Sequence, residues 1–308
     1  MKIRLFYLFS FICIISACNG QQTNQAETES IEKRTFQMVS VPSVITDPKE
    51  RAVYLVKHYW DAFDFSDTTL VRFPEVTEQA VSDYIGMMKY VPAETAASAI
   101  KEMMNKASAD STMFVYLAGL YEKYLYDPDS PMRDESLFVH VLEAVLEASV
   151  LDEVSKIRPA HLLELALKNR VGESAADFVY TLADGKEGAL YHVNADYLLL
   201  FFYNPDCHAC KETTDQLAAS PFMAEWSKKG KLKILAVYPD EDLDAWREHL
   251  AYMPADWINS YDATMSLKGD EVYDLKAMPT LYLLDKDKKV ILKDVTCNQV
   301  ENYLKNNK

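Results

Sequence analysis

The chain contains 308 residues, of which 49% are hydrophobic and 26% are charged. This balance is typical of a soluble globular protein and excludes a mostly disordered chain or a polytopic membrane protein. The formal net charge is −15 and both halves of the chain are acidic, which argues against nucleic-acid binding because phosphates require a cationic surface. The eight glycines form no G-x-G pattern, so dinucleotide-binding and P-loop functions lose their main sequence support.

The N-terminus has the pattern of a targeting segment. Lys2 and Arg4 precede an apolar run over residues 5–15. This run is shorter than the roughly 20 residues that a membrane-spanning helix needs, so it is predicted to be the apolar region of a secretory signal. The following Ile15-Ser16-Ala17-Cys18 resembles the lipobox of bacterial lipoproteins. That resemblance implies cleavage before Cys18 and attachment of diacylglycerol to its thiol.

We therefore predict a signal peptide over 1–17 and a flexible tether over 18–35. An ordinary signal peptide with a chance cysteine is the alternative. Because Asn19 is not an aspartate, the lipoprotein resemblance implies an outer-membrane position facing the periplasm, with the cell surface as the other option. The membrane is then contacted only through the lipid anchor. Export also places the chain where lasting disulfides can form.

Residues 36–170 have the pattern of an all-helical domain. Asp47-Pro48-Lys49-Glu50 is typical of a helix start, and apolar residues follow it at spacings of three and four. Pro159 is expected in the first turn of the last helix. Methionine and aromatic stripes favour a core over a peptide-binding groove, and dispersed histidines favour structural roles over metal binding. Further helices are predicted near residues 77–90, 93–107, 112–126, 134–149 and 159–169.

Residues 171–308 alternate between strand and helix patterns. Continuous apolar runs at 197–203 and 232–238 predict strands that are buried on both faces. Turn signals predict hairpins at both ends of this half, so the sheet should have mixed strand directions. The predicted fold class is α+β with two domains, an all-helical domain followed by an α/β domain. The other predicted strands lie at 178–183, 189–193, 257–261, 280–284 and 290–295, and the helices at 207–219, 242–253, 264–275 and 298–305.

Cys207-His208-Ala209-Cys210 directly follows a predicted buried strand and opens a predicted helix. At a helix N-terminus, unpaired N–H groups and the helix dipole stabilise a thiolate at Cys207. Cys210 lies one turn later on the same face, where it can attack a mixed disulfide and close a small ring. Pro279, after Met278, stands at the first position of a predicted strand, where a proline is tolerated. These two segments are the candidate catalytic machinery.

With these motifs, residues 172–308 resemble the thioredoxin superfamily, and the order of elements resembles its TlpA/ResA branch. The resemblance implies a cis bond at Pro279 opposite the cysteine pair and a substrate groove that includes Met278. It implies thiol–disulfide exchange, with the Cys207–Cys210 disulfide and no separate cofactor, and it favours the reductase direction. The implied partners are exported cysteine-containing proteins and a thiol protein that donates electrons. The first half resembles a helical domain of unknown function that precedes thioredoxin-like domains in lipoproteins of gut anaerobes.

The sequence departs from thioredoxin in three ways. Asp206 replaces the tryptophan before the first cysteine, Phe201 replaces a buried carboxylate, and no proline stands between the two cysteines. A carboxylate at Asp206 disfavours a thiolate at Cys207, whereas a protonated His208 favours it. We therefore expect Asp206 and His208 to tune the redox potential in opposite directions.

Three alternatives are open at this stage. A C-x-x-C pair can be half of a zinc site, but only Cys297 and dispersed histidines could complete it, so no metal is predicted. A peroxidase is disfavoured because Asn204 stands where peroxiredoxins have threonine or serine. In the third alternative the helical half of a scaffold lipoprotein engages a partner, and the redox site is secondary. Cys297 is expected to be an incidental buried thiol.

Overall fold

The computed structural model describes residues 35–307. The predicted signal peptide, Cys18 and most of the predicted tether lie outside these residues. Within the described part of the chain, no helix is both long enough and apolar enough to cross a membrane.

The N-terminal half is helical because its apolar residues recur at helical spacing and its helix starts are capped. The side chains of Asp47, Asp110 and Asp134 each accept hydrogen bonds from backbone N–H groups in the first turn of a helix. The described helices are α1 (Pro48–His58), α2 (Pro74–Met88), α3 (Ala93–Ala107), α4 (Ser111–Leu125), α5 (Glu135–Glu147) and α6 (Glu153–Leu167), with a 3-10 turn at Thr68–Arg72.

The aromatic and methionine stripes of this half form its core, as predicted. Tyr59 stacks on Tyr84 with ring centroids 5.1 Å apart, and Trp60 meets Tyr84 edge-on. Met103 and Met104 are fully buried in the same cluster. These side chains are therefore not available as a peptide groove.

The prediction for Pro159 is wrong. Helix α6 begins at Glu153, because the Asp152 side chain accepts a hydrogen bond from the N–H of Ser155 and caps the helix earlier than expected. Pro159 consequently lies inside the helix. The Asp152 cap, and not Pro159, sets the start of this helix.

The C-terminal half contains a mixed sheet in the order β2-β1-β5-β4-β3-β6-β7. Strand β3 is parallel to β4 and antiparallel to β6, so it is central, and its side chains alternate between two buried cores. This burial explains the uninterrupted apolar run. The strands are β1 (Val179–Leu182), β2 (Glu187–Ala189), β3 (Tyr197–Phe202), β4 (Leu232–Tyr238), β5 (Ile258–Tyr261), β6 (Thr280–Asp285) and β7 (Val290–Lys293).

Helices cover the sheet, and the fold class is the predicted α+β arrangement of a helical half followed by a thioredoxin-like α/β domain. The helices of this half are α7 (His208–Ala219), α8 (Pro221–Lys228), α9 (Leu243–His249), α10 (Ser266–Gly269) and α11 (Cys297–Asn306), with 3-10 turns at Leu190–His192 and Leu250–Tyr252.

Two predicted elements differ from the structure. The first hairpin closes earlier than expected, because Gly185 adopts a positive φ and Leu182 N–H bonds to the Lys186 carbonyl. Its second strand is therefore 187–189 rather than 189–193. The helix predicted over 264–275 is reduced to α10, since Glu271 adopts a left-handed conformation beyond its end. The segment from 270 to 279 is irregular and leads into β6.

Candidate active site

Strand β3 and helix α7 place the cysteine pair at one edge of the sheet. After β3, the turn at Asn204 is closed by a hydrogen bond from the N–H of Cys207 to the Asn204 carbonyl, 3.1 Å long. The Asn204 side chain accepts a second bond from the N–H of Asp206, at 3.0 Å. This turn delivers Cys207 as the N-cap residue of α7, as the sequence predicts.

The two cysteines differ in their access to solvent. Cys207 is half-buried, whereas Cys210 is only 2% exposed and packs in the core beneath the sheet edge. The structure joins their sulfurs in a disulfide with Cα atoms 5.2 Å apart. The backbone N–H of Cys210 points at Cys207 Sγ, with 3.1 Å between N and S. This N–H and the helix dipole favour negative charge on Cys207 Sγ when the pair is reduced.

Met278 and Pro279 lie opposite the pair. The peptide bond between them is cis. The carbonyl oxygen of Met278 lies 3.3 Å from Cys207 Sγ, where it can accept a hydrogen bond from the thiol of the reduced protein. The structure therefore brings together the catalytic and groove residues that the sequence singled out.

The two residues expected to tune the potential are both exposed. The side chain of His208 is 86% exposed, and its Nε2 lies 3.3 Å from a carboxylate oxygen of Glu212. Asp206 is exposed in the turn before Cys207. Solvent screens charges at such positions, so the expected tuning by either side chain is small. Their roles stay predictions.

Position 201 of this chain, where thioredoxin has a buried carboxylate, carries no charge. Phe201 is fully buried, with its ring centroid 5.3 Å from that of Tyr203 and 6.0 Å from that of Trp257. This position is apolar, so proton transfer to and from the buried Cys210 cannot use a side chain there.

Asp240 is a site residue that the sequence reading missed. Its carboxylate accepts a hydrogen bond of 3.1 Å from the Asn204 amide and also pairs with Lys268. It thereby holds the turn that presents Cys207. Strand order would have indicated this contact. Because β3 and β4 are adjacent and parallel, the residues that follow them meet at one sheet edge.

Cys297 is buried at the start of α11, with its Sγ 3.8 Å from the Thr213 carbonyl of α7. Burial raises the pKa of the Cys297 thiol to about 11. The thiol therefore stays protonated at neutral pH and is a poor nucleophile.

We expect Cys297→Ala to retain at least about half of the wild-type disulfide turnover, since this thiol packs as a small apolar group. Turnover with a protein disulfide is the measurement, and iodoacetamide labelling of the native reduced protein should leave Cys297 largely unmodified below pH 9, well under its pKa of about 11. A larger loss of turnover would identify Cys297 as a third redox partner.

Within residues 35–307, no three histidine, cysteine or acidic side chains gather in an arrangement that could hold a metal ion. In this part of the chain the cysteine pair lacks the ligands of a zinc site.

Comparison with known proteins gives two family matches. Residues 16–169 match a family described as a domain of unknown function (DUF5106), and residues 194–290 match a family described as thioredoxin-like. A solved thioredoxin-like protein from Bacteroides caccae is 48% identical, with a TM-score of 0.87 over 89% of this chain and 99% of that one.

Curated relatives match a little under half of the chain. The thiol-disulfide oxidoreductase ResA of Bacillus thuringiensis subsp. konkukian is 30% identical over 147 residues, which cover 45% of this chain and 79% of the relative. ResA of Bacillus anthracis is 29% identical over the same length and coverage.

Proposed function

We propose that this chain reduces disulfides in exported proteins, because it belongs to the thioredoxin-like thiol-disulfide oxidoreductases with an N-terminal domain of unknown function. The observation that supports this function most is the asymmetry of the cysteine pair. Cys207 lies at the N-cap of α7 with the Cys210 N–H directed at its sulfur, while Cys210 is buried behind it. Cys207 is therefore placed to attack a client disulfide, and Cys210 is placed to resolve the mixed disulfide that forms.

The proposed exchange has two steps. The Cys207 thiolate attacks one sulfur of a client disulfide, forms a mixed disulfide with it and releases the other client sulfur as a thiolate. Cys210 then loses its proton and attacks Cys207 Sγ, which breaks the mixed disulfide and releases the second client thiolate. The client gains two electrons and the Cys207–Cys210 pair loses two. A thiol protein of the cell envelope reduces the pair again.

The likeness to the thiol-disulfide oxidoreductase ResA proteins supports the exchange reaction, and the reductase direction is the expectation from the resemblance to the TlpA/ResA branch. The test is reduction of insulin, a soluble protein disulfide, by the purified chain with dithiothreitol as the electron source. Wild type should accelerate insulin precipitation, and Cys207→Ser should abolish the acceleration. Equal rates for the two proteins would contradict the proposed function.

We further propose that a lipid on Cys18 anchors the chain to the outer membrane, facing the periplasm. The support is the Ile15-Ser16-Ala17-Cys18 motif after an apolar run. The membrane would then concentrate the enzyme near exported clients without a direct protein–lipid surface.

If Cys18 is lipidated, we expect Cys18→Ser to keep its signal peptide and to take up no fatty-acid label. Cells fed radioactive palmitate should label the wild type strongly and Cys18→Ser at background level, because the serine hydroxyl does not replace the acylated thiol. The matched control is Cys13→Ser, which alters a cysteine of the predicted signal and should still be labelled. Full labelling of Cys18→Ser would rule out this anchor.

A further inference from the structure

The irregular segment 270–279, which we name the proline loop, is held by the helical half of the chain. The Lys168 side chain donates a hydrogen bond of 3.0 Å to the Glu271 carbonyl. The Asn169 side-chain amide donates one of 2.9 Å to the Val272 carbonyl. The first part of the loop is therefore fixed by the residues that follow α6.

Lys276 is the centre of a buried polar cluster between the loop and the helical half. Its Nζ lies 2.9 Å from a carboxylate oxygen of Glu135, 2.8 Å from one of Asp274 and 3.2 Å from one of Asp294. It also lies 4.1 Å from the ring centroid of Tyr126, whose hydroxyl donates a hydrogen bond of 2.9 Å to Asp274. Glu135 and Tyr126 belong to the helical half, so the cluster joins the two halves.

The cluster holds a charged lysine. Only 10% of the Lys276 side chain is exposed. Burial alone would lower the pKa of Lys276, but the carboxylates of Asp294, Glu135 and Asp274 outweigh burial and raise it. Removing one partner leaves buried charges without their counterions, which makes such a cluster sensitive to single substitutions.

Lys276 lies two residues before Met278, whose carbonyl oxygen is 3.3 Å from Cys207 Sγ. Only Ala277 separates the two residues, and its carbonyl oxygen accepts a hydrogen bond of 2.6 Å from the Thr280 hydroxyl at the start of β6. Movement of the Lys276 backbone therefore changes the position of Met278. A polypeptide bound at Cys207 must pack against this same backbone, and small displacements of such groups lower rates strongly.

We propose that Lys276 is a positioning residue of the redox site, and that the helical half, through Glu135, holds the proline loop against Cys207 for protein clients. The inference rests on the proposed function and assigns a role to the helical half. Release of the loop should slow the reduction of protein disulfides more than that of small disulfides, because a small disulfide needs only to reach Cys207 Sγ. Release should also withdraw the Met278 carbonyl oxygen, which opposes negative charge on Cys207 Sγ.

The test compares two variants of the full chain with opposite charge changes. Lys276→Met removes a positive charge and Glu135→Gln removes a negative one, but both weaken the same contact. In both, we expect the KM for insulin to rise at least about fivefold, with the turnover of a small aromatic disulfide no lower than that of wild type. Iodoacetamide should alkylate reduced Cys207 faster in both by about threefold, read from the mass of the Cys207 peptide.

Lys288→Met is the matched control. Lys288 is another buried lysine of this half, 4% exposed, and its Nζ donates a hydrogen bond of 3.2 Å to the Lys286 carbonyl. It lies in the turn between β6 and β7, outside the Lys276 cluster and the proline loop. We expect its insulin KM and its Cys207 alkylation rate to stay within about twofold of wild type. Glu135→Gln keeps the side-chain shape, so it provides the test if Lys276→Met does not fold.

The outcomes separate the explanations. If alkylation of Cys207 speeds up in one variant and slows in the other, the effect is only the changed charge and the proposal is wrong. The proposal is also overturned if the insulin KM and the alkylation rate are unchanged in a folded Lys276→Met, or if Lys288→Met changes them equally. The alkylation readout needs no client, so faster alkylation in both variants supports loop positioning even if wild type fails to reduce insulin, and only the proposed function then fails.

Discussion

We expect Cys210→Ala to accumulate covalent mixed disulfides with client proteins, and Cys207→Ala to form none. The reason is the unequal placement of the two sulfurs. Cys207 is half-buried at the N-cap of α7 and can be reached by a client, while Cys210 is 2% exposed. Without Cys210 the first exchange still proceeds, but no sulfur is in place to break the mixed disulfide.

The measurement is non-reducing electrophoresis of cell-envelope proteins, followed by mass spectrometry of the adducts. Both variants should be made in a Cys297→Ala background so that the buried thiol cannot contribute. Adducts should be abundant for Cys210→Ala, at background level for Cys207→Ala, and lost on reduction. Equal trapping by the two variants would contradict the assigned roles and would indicate that either sulfur can be attacked.

We expect Phe202→Ala to destabilise the chain by about 3–5 kcal/mol, the usual cost of removing a buried aromatic side chain. Phe202 is fully buried at the end of β3. Its ring centroid lies 5.0 Å from that of Tyr273 in the proline loop, 6.1 Å from Phe178 and 6.3 Å from Tyr282 in β6. The side chain therefore joins the strand that delivers Cys207 to the loop that faces it.

Urea unfolding of the reduced proteins measures this loss. The matched control is Tyr252→Ala, since Tyr252 is an aromatic residue that is 78% exposed in the same half. Its replacement should change the free energy of unfolding by less than about 0.5 kcal/mol. If Phe202→Ala loses no more free energy of unfolding than Tyr252→Ala, the ring of Phe202 contributes little packing.

Local patterns were enough to predict the part of the site that is contiguous in sequence. The apolar run before Cys207 and the helix after it predicted the N-cap position of that residue, because burial and capping depend on neighbouring residues. The local pattern placed Pro279 at the start of a strand, whereas its cis bond and its position opposite the cysteine pair followed only from the family resemblance. The aspartate cap at Asp152 was overlooked because Pro159 is the more conspicuous marker of a helix start.

Contacts between distant segments could not be read in the same way. Lys276 meets Glu135 across 141 positions of the chain, and neither residue belongs to a motif. The helix predicted over 264–275 failed for a related reason: the structure contains only α10 there, and the residues beyond it bond to Lys168 and Asn169 of the helical half. Long-range packing therefore overrode the local helical pattern.

The most direct test of the account is an equilibrium redox titration of the purified chain between about −350 and −100 mV, the range of thioredoxin-like proteins. After each equilibration, free thiols are alkylated under denaturing conditions and the labelled peptides are weighed. We predict that Cys207 and Cys210 lose their labels together in one two-electron transition, while Cys297 keeps its label throughout. Absence of any transition in this range, or a transition that pairs either residue with Cys297, would contradict a Cys207–Cys210 redox centre.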